Sequence, residues 1–443
     1  MKISIAFAAL VIALLPTAVA QADTADDCHV GAYRLTDGRV IDISPSDPNP
    51  LRWRAFNGET GALRKNADGT WTSTFGWTGR PDGKTVAFSD CATGDMRFAG
   101  TSGHRIDFDV AETAFESNGT MLVGRLILPK GSAAVPIVVL IHGSEDNSAM
   151  RFHQLQRLLP AEGVGTFVYD KRGTGASGGS YTQDFDLLAN DAVAAMREAR
   201  RLAGARAGRV GYQGGSEGGW VAPLAANRAP VDFVIVSFGL AVNVLQEDQE
   251  ELALEMRLKG HTPEETAKAL EVAHAAEAVA ESRFTSGFAE FDAVRAKYKS
   301  EPWYKDVHGN FTYMLLPLTD AQLHGDLPIK KMVSATPFRY DPMPTLHAST
   351  TPQLWILGAE DLEAPSAETS KRIKLLIGEG RPFTLAFYPG AEHGMTEFEI
   401  GPDGERVSTR YAQDYFAMMR DFARDGRLHG TYGKSTITRG KAN

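Results

Sequence analysis

An α/β fold built on a mostly parallel central sheet, with helices on both faces, is predicted for this chain by three observations. Continuous apolar runs at residues 136–141, 165–169, 231–237, 352–358 and 383–388 have the length and composition of strands buried on both faces. Helical stretches separate them, the clearest at residues 184–202. The runs end in loops that carry Gly, His, Asp or Ser, and an open parallel sheet places its working residues just past the carboxyl ends of its strands.

The chain begins with Met1-Lys2 and an apolar run to Ala20, interrupted by Pro16, with small residues at Ala18, Ala20 and Ala22. A basic start, an apolar centre and an A-x-A site read as a signal peptide over residues 1–22, so an exported protein is expected, periplasmic or secreted. The alternative is a retained membrane anchor, and Pro16 and the doubled A-x-A site argue against it. Cys28 follows Thr24-Ala25-Asp26-Asp27 and lacks the small-residue lead of a lipid-anchored cysteine. The chain has two cysteines, Cys28 and Cys91. In an oxidising compartment they are expected to pair, with free thiols as the alternative.

Around these cysteines, short alternating runs near residues 31–35, 39–43, 51–56, 70–75 and 85–89 are separated by Asp-Gly, Asn-Gly and Pro-Asp-Gly turns. They read as antiparallel strands of a small β domain over residues 24–107. Packing on its own chain, pairing two copies and binding a polymer surface are its open roles.

The α/β pattern itself occupies residues 112–243 and 349–430. The run 136–141 leads into His142-Gly143-Ser144-Glu145. The run 165–169 leads into Asp170-Lys171-Arg172-Gly173-Thr174-Gly175-Ala176-Ser177-Gly178. Residues 214–218 read Gly-Gly-Ser-Glu-Gly, a G-x-S-x-G match between a candidate strand at 210–212 and a candidate helix that begins near 221. A serine at the apex of so sharp a turn needs small neighbours. Downstream, Glu360, Asp361 and Glu363 follow the run 352–358, and His393 follows the run 383–388 in a Gly-containing loop. An activated serine needs a base to take its proton and an acid to orient that base.

On these motifs and their order the chain resembles the alpha/beta-hydrolase superfamily. It is most similar to bacterial exported serine esterases with a D-x-R-G-x-G-x-S loop and a G-x-S-E-G-G elbow, and to the serine aminopeptidase-like branch. The resemblance spans roughly residues 112–423. It implies Ser216 as nucleophile, His393 as general base and, by the Gly358-x-x-Asp361 spacing, Asp361 as the orienting acid, with Glu360 and Glu363 as nearby alternatives. It implies an oxyanion hole from the backbone N–H groups of Gly143, Ser144 and Glu217. Asp170 and Arg172 are expected to brace the active-site face. The Glu217 side chain is left open between a role near substrate, a local hydrogen bond and solvent.

Residues 244–348 exceed the one short helix that such a sheet needs between two strands. Residues 244–260 and 263–283 have helical period and Glu-rich faces, punctuated by Gly260 and Pro263, and aromatics follow from Phe288 to Tyr313. They read as a helical cap that walls a substrate pocket, or as a purely structural helical pair. Residues 434–443 read as a polar, disordered tail.

Two motifs are declined. Gly173-x-Gly175-x-x-Gly178 matches a dinucleotide fingerprint, but Asp-Lys-Arg separates it from the strand and a long helix stands where an acid-ended strand should follow. Residues 79–85 approach a P-loop with the wrong spacing, and Pro81-Asp82-Gly83 reads as a turn. Neither H-E-x-x-H nor a paired C-x-x-C is present, so no metal and no cofactor is expected. A formal net charge of −9 without a basic stripe disfavours nucleic acid. The expected reaction is cleavage of a small carboxylic ester through an acyl-enzyme. A serine peptidase is the runner-up, with Glu247, Asp248, Glu250 or Glu251 as acidic anchors for a peptide terminus. A binding protein on an inactive hydrolase scaffold comes third, and the complete Ser-Asp-His set argues against it. Oligomeric state is left open.

Overall fold

The computed structural model describes residues 26–47 and 49–440, so the stretch read as a signal peptide lies outside the described residues. Eight antiparallel strands come first: Gly31–Leu35 (β1), Val40–Pro45 (β2), Leu51–Ala55 (β3), Thr60–Lys65 (β4), Trp71–Thr74 (β5), Pro81–Phe88 (β6), Asp95–Phe98 (β7) and Thr101–Arg105 (β8). Each pairs with the next and β1 pairs with β8, closing a barrel. Side chains just fill the interior of a barrel of this size, and Tyr33, Trp53, Trp71 and Phe98 are among those that do so. The buried Trp53 ring keeps a hydrogen bond by donating from Nε1 to Ser73 Oγ at 2.7 Å. Alternation in the sequence identified antiparallel strands here, but not their closure. Pro81, Asp82 and Gly83, read as a turn, instead open β6. A register shift between Thr72 and Thr74 in its partner β5, with Gly83 at φ +77°, absorbs them. Cys28 and Cys91 form the expected disulfide. Arg105 donates to the carbonyls of both cysteines at 2.7 Å.

Phe108–Ser117 (β9) and Thr120–Pro129 (β10) follow as a hairpin across Asn118 and Gly119, both at positive φ, as a tight two-residue turn requires. Next come Val135–Ile141 (β11), Gly165–Tyr169 (β12), Ala207–Gly215 (β13), Val234–Ser237 (β14), Gln353–Gly358 (β15) and Phe383–Tyr388 (β16), which run parallel to one another. A side hairpin of Thr396–Ile400 (β17) and Arg406–Tyr411 (β18) lies apart from the sheet. Thr436–Arg439 (β19) pairs antiparallel with β16 at its edge. The strand order is β19-β16-β15-β14-β13-β11-β12-β10-β9. The strand β19 corrects the expectation of a disordered polar tail. Its Thr-Ile-Thr-Arg sequence is too polar for a buried strand but suits a half-solvated edge, where β-branched residues are favoured.

The longer helices are Phe185–Ala203 (α1), Gly218–Arg228 (α2), Val244–Leu258 (α3), Pro263–Glu281 (α4), Phe288–Tyr298 (α5), Ser366–Gly378 (α6) and Tyr415–Asp425 (α7). Asp184 caps α1 by accepting from the Leu187 N–H at 3.1 Å. The central strands are apolar on both faces. Ile137, Val139 and Ile141 join a core with α1, α2 and α6, while Val138 and Leu140 join another with α7 and the short helix Leu155–Ala161. Between β14 and β15 stand α3, α4 and α5, where the sequence predicts a helical cap. Thr262 and Glu265 form a capping box at the start of α4, and Leu252, Met256, Val272, Tyr298 and Trp303 make a separate small core there. Among the described residues, no helix is long and apolar enough to cross a membrane.

The barrel is fixed to a helix and to the side hairpin of the α/β domain by charged contacts. Buried Asp42 pairs with Arg157 at 2.5 Å, Arg80 grips Glu399 in β17 at 2.6 and 2.7 Å, and Arg54 donates to the Tyr411 hydroxyl at 3.2 Å. The loop between β5 and β6 also hydrogen-bonds β18 directly, from the Trp77 N–H to the Ser408 carbonyl at 2.9 Å.

Candidate active site

Strand β13 ends at Gly215 and α2 starts at Gly218, so Ser216 and Glu217 form the whole turn. Ser216 has φ +52°, a left-handed conformation that a residue with a Cβ rarely adopts outside functional turns. The turn is closed sterically: a Cβ on Gly214 would lie 2.2 Å from the Gly218 carbonyl oxygen. The Ser216 N–H donates to the Ser237 carbonyl at 3.2 Å, tying the elbow to the end of β14.

Past β11, the loop with Gly143 and Ser144 lies beside this elbow. Lys171 Nζ donates to the Gly143 carbonyl at 3.0 Å, and the Tyr181 hydroxyl donates to the Ser144 carbonyl at 2.6 Å. The same ammonium donates to Glu217 Oε1 at 2.6 Å, with Lys171 2% and Glu217 3% exposed. Burial pushes the Glu217 carboxyl up and Lys171 opposes it. The Glu217 side chain is therefore an internal strut between the elbow and the loop, and of its open readings the local bond is the one realised. Among the described residues the N–H groups of Gly143, Ser144 and Glu217 donate to nothing. Asp170 accepts from Ser148 Oγ, the Met150 N–H and the Ala176 N–H at 2.7 to 3.0 Å, and Arg172 forks onto Asp191 at 2.6 and 2.7 Å. Both brace the face, as expected.

Asp361 follows β15, is 2% exposed and accepts from the Ala364 N–H at 2.8 Å. His393 follows β16 and donates from Nδ1 to Asp361 at 3.0 Å. The Phe238 ring meets the imidazole edge-on at 4.8 Å. The structure thus brings Asp361 and His393 together. The Ser216 hydroxyl makes no hydrogen bond to His393, whose Nε2 instead lies 3.7 Å from Glu363 Oε1. Burial opposes a charged ring, but Asp361, Glu363 and Glu247 outweigh it and raise His393 to about 10. In this state the ring holds a proton that a base for Ser216 must first lose.

Two cavities meet at the site. Ser216 opens onto one of about 250 Å³, walled by Glu247 and Phe311 from the cap and by Ser144, Glu217, Trp220 and Glu363. His393 opens onto another of about 400 Å³ on the barrel side. Consecutive residues divide between them: Gly143 and Gly215 line the second, Ser144 and Ser216 the first. The Glu247 carboxyl, 5% exposed, has no hydrogen-bond or ion-pair partner among the described residues. Burial, then Glu363, pushes it well above the usual carboxylate range.

Sequence reasoning missed Phe238 and the Lys171 link, and it took Glu363 only as a rival to Asp361. A lysine between the two expected bracing residues was the available signal for the link. Nothing local marks Phe238. Glu251, Glu255 and His308 cluster in the cap, His308 Nδ1 lying 3.1 and 3.3 Å from the two carboxylates. That histidine pairs with one oxygen of each, and Glu251 Oε2 is buried without a partner among the described residues.

A family model described as Hydrolase_4, serine aminopeptidase, S33, matches residues 132–400. An esterase of Pyrococcus furiosus is similar in structure, with 14% identity, a TM-score of 0.40, and 65% of this chain and 83% of that one covered. An acylaminoacyl peptidase of Pyrococcus horikoshii is similar with 14% identity and a TM-score of 0.44, over 89% of this chain and 56% of that one. A puromycin-hydrolyzing peptidase of Mycobacterium tuberculosis is similar with 15% identity and a TM-score of 0.39, over 82% of this chain and 50% of that one. No curated protein matches the chain in sequence. With more than half of its length under that family model, and with a parallel sheet, a serine elbow and a helical insertion, the chain belongs to the serine aminopeptidase S33 family of alpha/beta hydrolases.

Proposed function

We propose that the chain is an exported serine hydrolase that cleaves carboxylic esters, with Ser216 as nucleophile, His393 as base and Asp361 as orienting acid. The observation that carries this reading is the Asp361–His393 pair beside a serine held at φ +52°. Neutral His393 takes the hydroxyl proton as Ser216 Oγ bonds to the acyl carbon. The N–H groups of Ser144 and Glu217, with that of Gly143, receive the oxyanion. As the acyl–oxygen bond breaks, His393 returns the proton to the departing alcohol. Water then repeats the sequence on the acyl-enzyme and releases the acid. Asp361 keeps the Nδ1 tautomer and supports the imidazolium. Export is compatible with the Cys28–Cys91 disulfide.

One observation favours a second reading, a serine peptidase that requires a free amino terminus. Glu247 points a buried, unpaired carboxyl at the cavity that holds Ser216, with Glu363 beside it, and an ammonium group would neutralise both.

One assay tests both readings: p-nitrophenyl esters of graded acyl length beside aminoacyl anilides, on the wild type and Ser216→Ala. Ester turnover lost in the variant, with anilides untouched by either protein, is the expected result. Dominant anilide turnover, abolished by N-acetylation of the substrate, moves the assignment to the peptidase. Full activity in Ser216→Ala removes both.

A further inference from the structure

Just past β14 the backbone is strained beside the candidate base. Phe238 follows Ser237, the last residue of that strand, and has φ +41°. A residue with a Cβ keeps this left-handed conformation only where its surroundings impose it, and such residues gather at active sites. The surroundings do impose it here. The Phe238 N–H donates to the Ile356 carbonyl of β15 at 2.8 Å, and the Ser237 carbonyl before it accepts from the Ser216 N–H. Gly239 after it packs so closely on α2 that a Cβ would lie 2.9 Å from Gly219 Cα.

The side chain then reaches back to the elbow. A Cβ on Gly215 would lie 2.6 Å from Phe238 Cζ. The G-x-S-x-G pattern leaves the residue before its serine unspecified, and Gly215 lacks the positive φ that calls for glycine. The room that a side chain at position 215 would take is filled by the Phe238 ring. The same ring meets His393, with centroids 4.8 Å apart and planes crossing at 70°, a favourable edge-to-face pair.

Asp361 bonds the imidazole at Nδ1, which fixes one ring atom and leaves the tilt of the ring free. His393 also borders the barrel-side cavity of about 400 Å³, which has room for an unsupported imidazole to turn into. A general base acts only within hydrogen-bond reach of the proton it takes. Resting on the ester-hydrolase reading, we infer that Phe238 is a positioning residue for the base: its ring stands in for the side chain that residue 215 lacks, sets the spacing between the elbow and His393, and keeps the imidazole from turning into that cavity during both proton transfers. Phe238 exchanges no proton and acts through His393. The strained backbone at 238 and the bare position at 215 are two parts of one arrangement, since the first aims the ring and the second admits it.

The test is a double-variant cycle of Phe238→Leu and Gly215→Ala, read on p-nitrophenyl acetate hydrolysis. Phe238→Leu keeps an apolar side chain without the reach of the ring. It is expected to lower kcat roughly 10–100-fold, the scale of a small misplacement of a catalytic group, with KM within about twofold of the wild type. Gly215→Ala puts a methyl where the ring stands and should lower kcat by a similar factor. Together the two should lower it no further than the larger single loss, because the methyl then enters space that the ring has left. Losses that multiply, or a Phe238→Leu kcat within about twofold of the wild type, overturn the inference. The pH profile separates position from charge. Phe238 carries no charge, so in Phe238→Leu the rising limb of kcat/KM should fall in height and keep its midpoint, and a midpoint moved by about one unit or more overturns the inference. Circular dichroism checks the fold of each variant. If Phe238→Leu does not fold, Gly215→Ala decides by itself, and undiminished kcat there overturns the inference. Ester cleavage that survives Ser216→Ala would instead overturn the hydrolase reading beneath it.

Discussion

The cap side and the barrel side of the site are built from different residues. The cap-side cavity has carboxyls, Glu247 and Glu363, among aromatic and apolar walls. The barrel-side cavity is lined by the imidazoles of His142, His153 and His393, the Gln213 amide and the Glu145 carboxylate, with Trp77 and Tyr411. Ser216 faces the first and His393 the second. On the reading proposed above, one reacting centre would meet the two halves of its substrate with different walls, carboxyls among aromatics on the cap side and imidazoles, an amide and a carboxylate on the barrel side. The halves also differ in what holds them. A buried ion pair, Lys171–Glu217, ties the elbow to the loop, whereas a disulfide closes the start of the barrel and both a buried pair, Arg157–Asp42, and an exposed one, Arg80–Glu399, hold it in place.

The largest effect that can break this comparison is loss of the shared centre. Ser216→Ala is expected to lower kcat by at least about 10⁴-fold on every ester, whichever half of the substrate is varied. Turnover that persisted for one series alone would mean that the cavities serve separate sites. Asp361→Asn comes next, with a fall of roughly 10³–10⁴ at unchanged fold, because it favours the wrong histidine tautomer. Circular dichroism beside the kinetics checks that claim.

Stability separates the halves further. Lys171→Met leaves a buried carboxylate unpaired and should destabilise the elbow side by roughly 3–5 kcal/mol, while adding Glu217→Gln should restore most of the loss. Urea titration of both variants decides it, and equal stability of the single and double variants would deny the strut. On the barrel side, Cys28→Ser with Cys91→Ser opens a closure of sequence separation 63, for which the chain-entropy estimate is at most about 4 kcal/mol. Acyl-chain preference should not follow that loss.

The smallest effect is a pH shift, and it sharpens the contrast. His393 is raised to about 10 by Asp361, Glu363 and Glu247, so kcat/KM of the free enzyme should rise with pH from neutrality towards that value as the ring loses its proton. Glu363→Gln removes one negative charge and should move the rising limb to lower pH by up to about one unit. The same change at barrel-side Glu145, which is not among the groups that raise His393, should move it less. Equal shifts would erase the electrostatic difference between the two halves.

The sequence by itself determined the parts whose physics is local. Apolar runs marked the parallel strands, the sheet placed the loops at their carboxyl ends, and the Gly214-to-Gly218 turn admits few residues but those present. Ser216, Asp361 and His393 were legible because each follows its own strand. Alternation and turn residues marked the antiparallel strands of the N-terminal region, and the helical period marked the insertion. The tail was misread because an edge strand is decided by its partner β16, not by its own four residues. Tertiary structure alone decided that the barrel closes, that Lys171 reaches Glu217 across the turn, and that Glu363 faces Nε2 of His393 while Asp361 takes Nδ1. It alone brought Glu247 from the insertion and Trp77 from the barrel to opposite sides of one serine. Those relations join residues on different elements, tens of positions apart or more, and there the approach of two side chains is set by how whole layers pack, which no local pattern encodes.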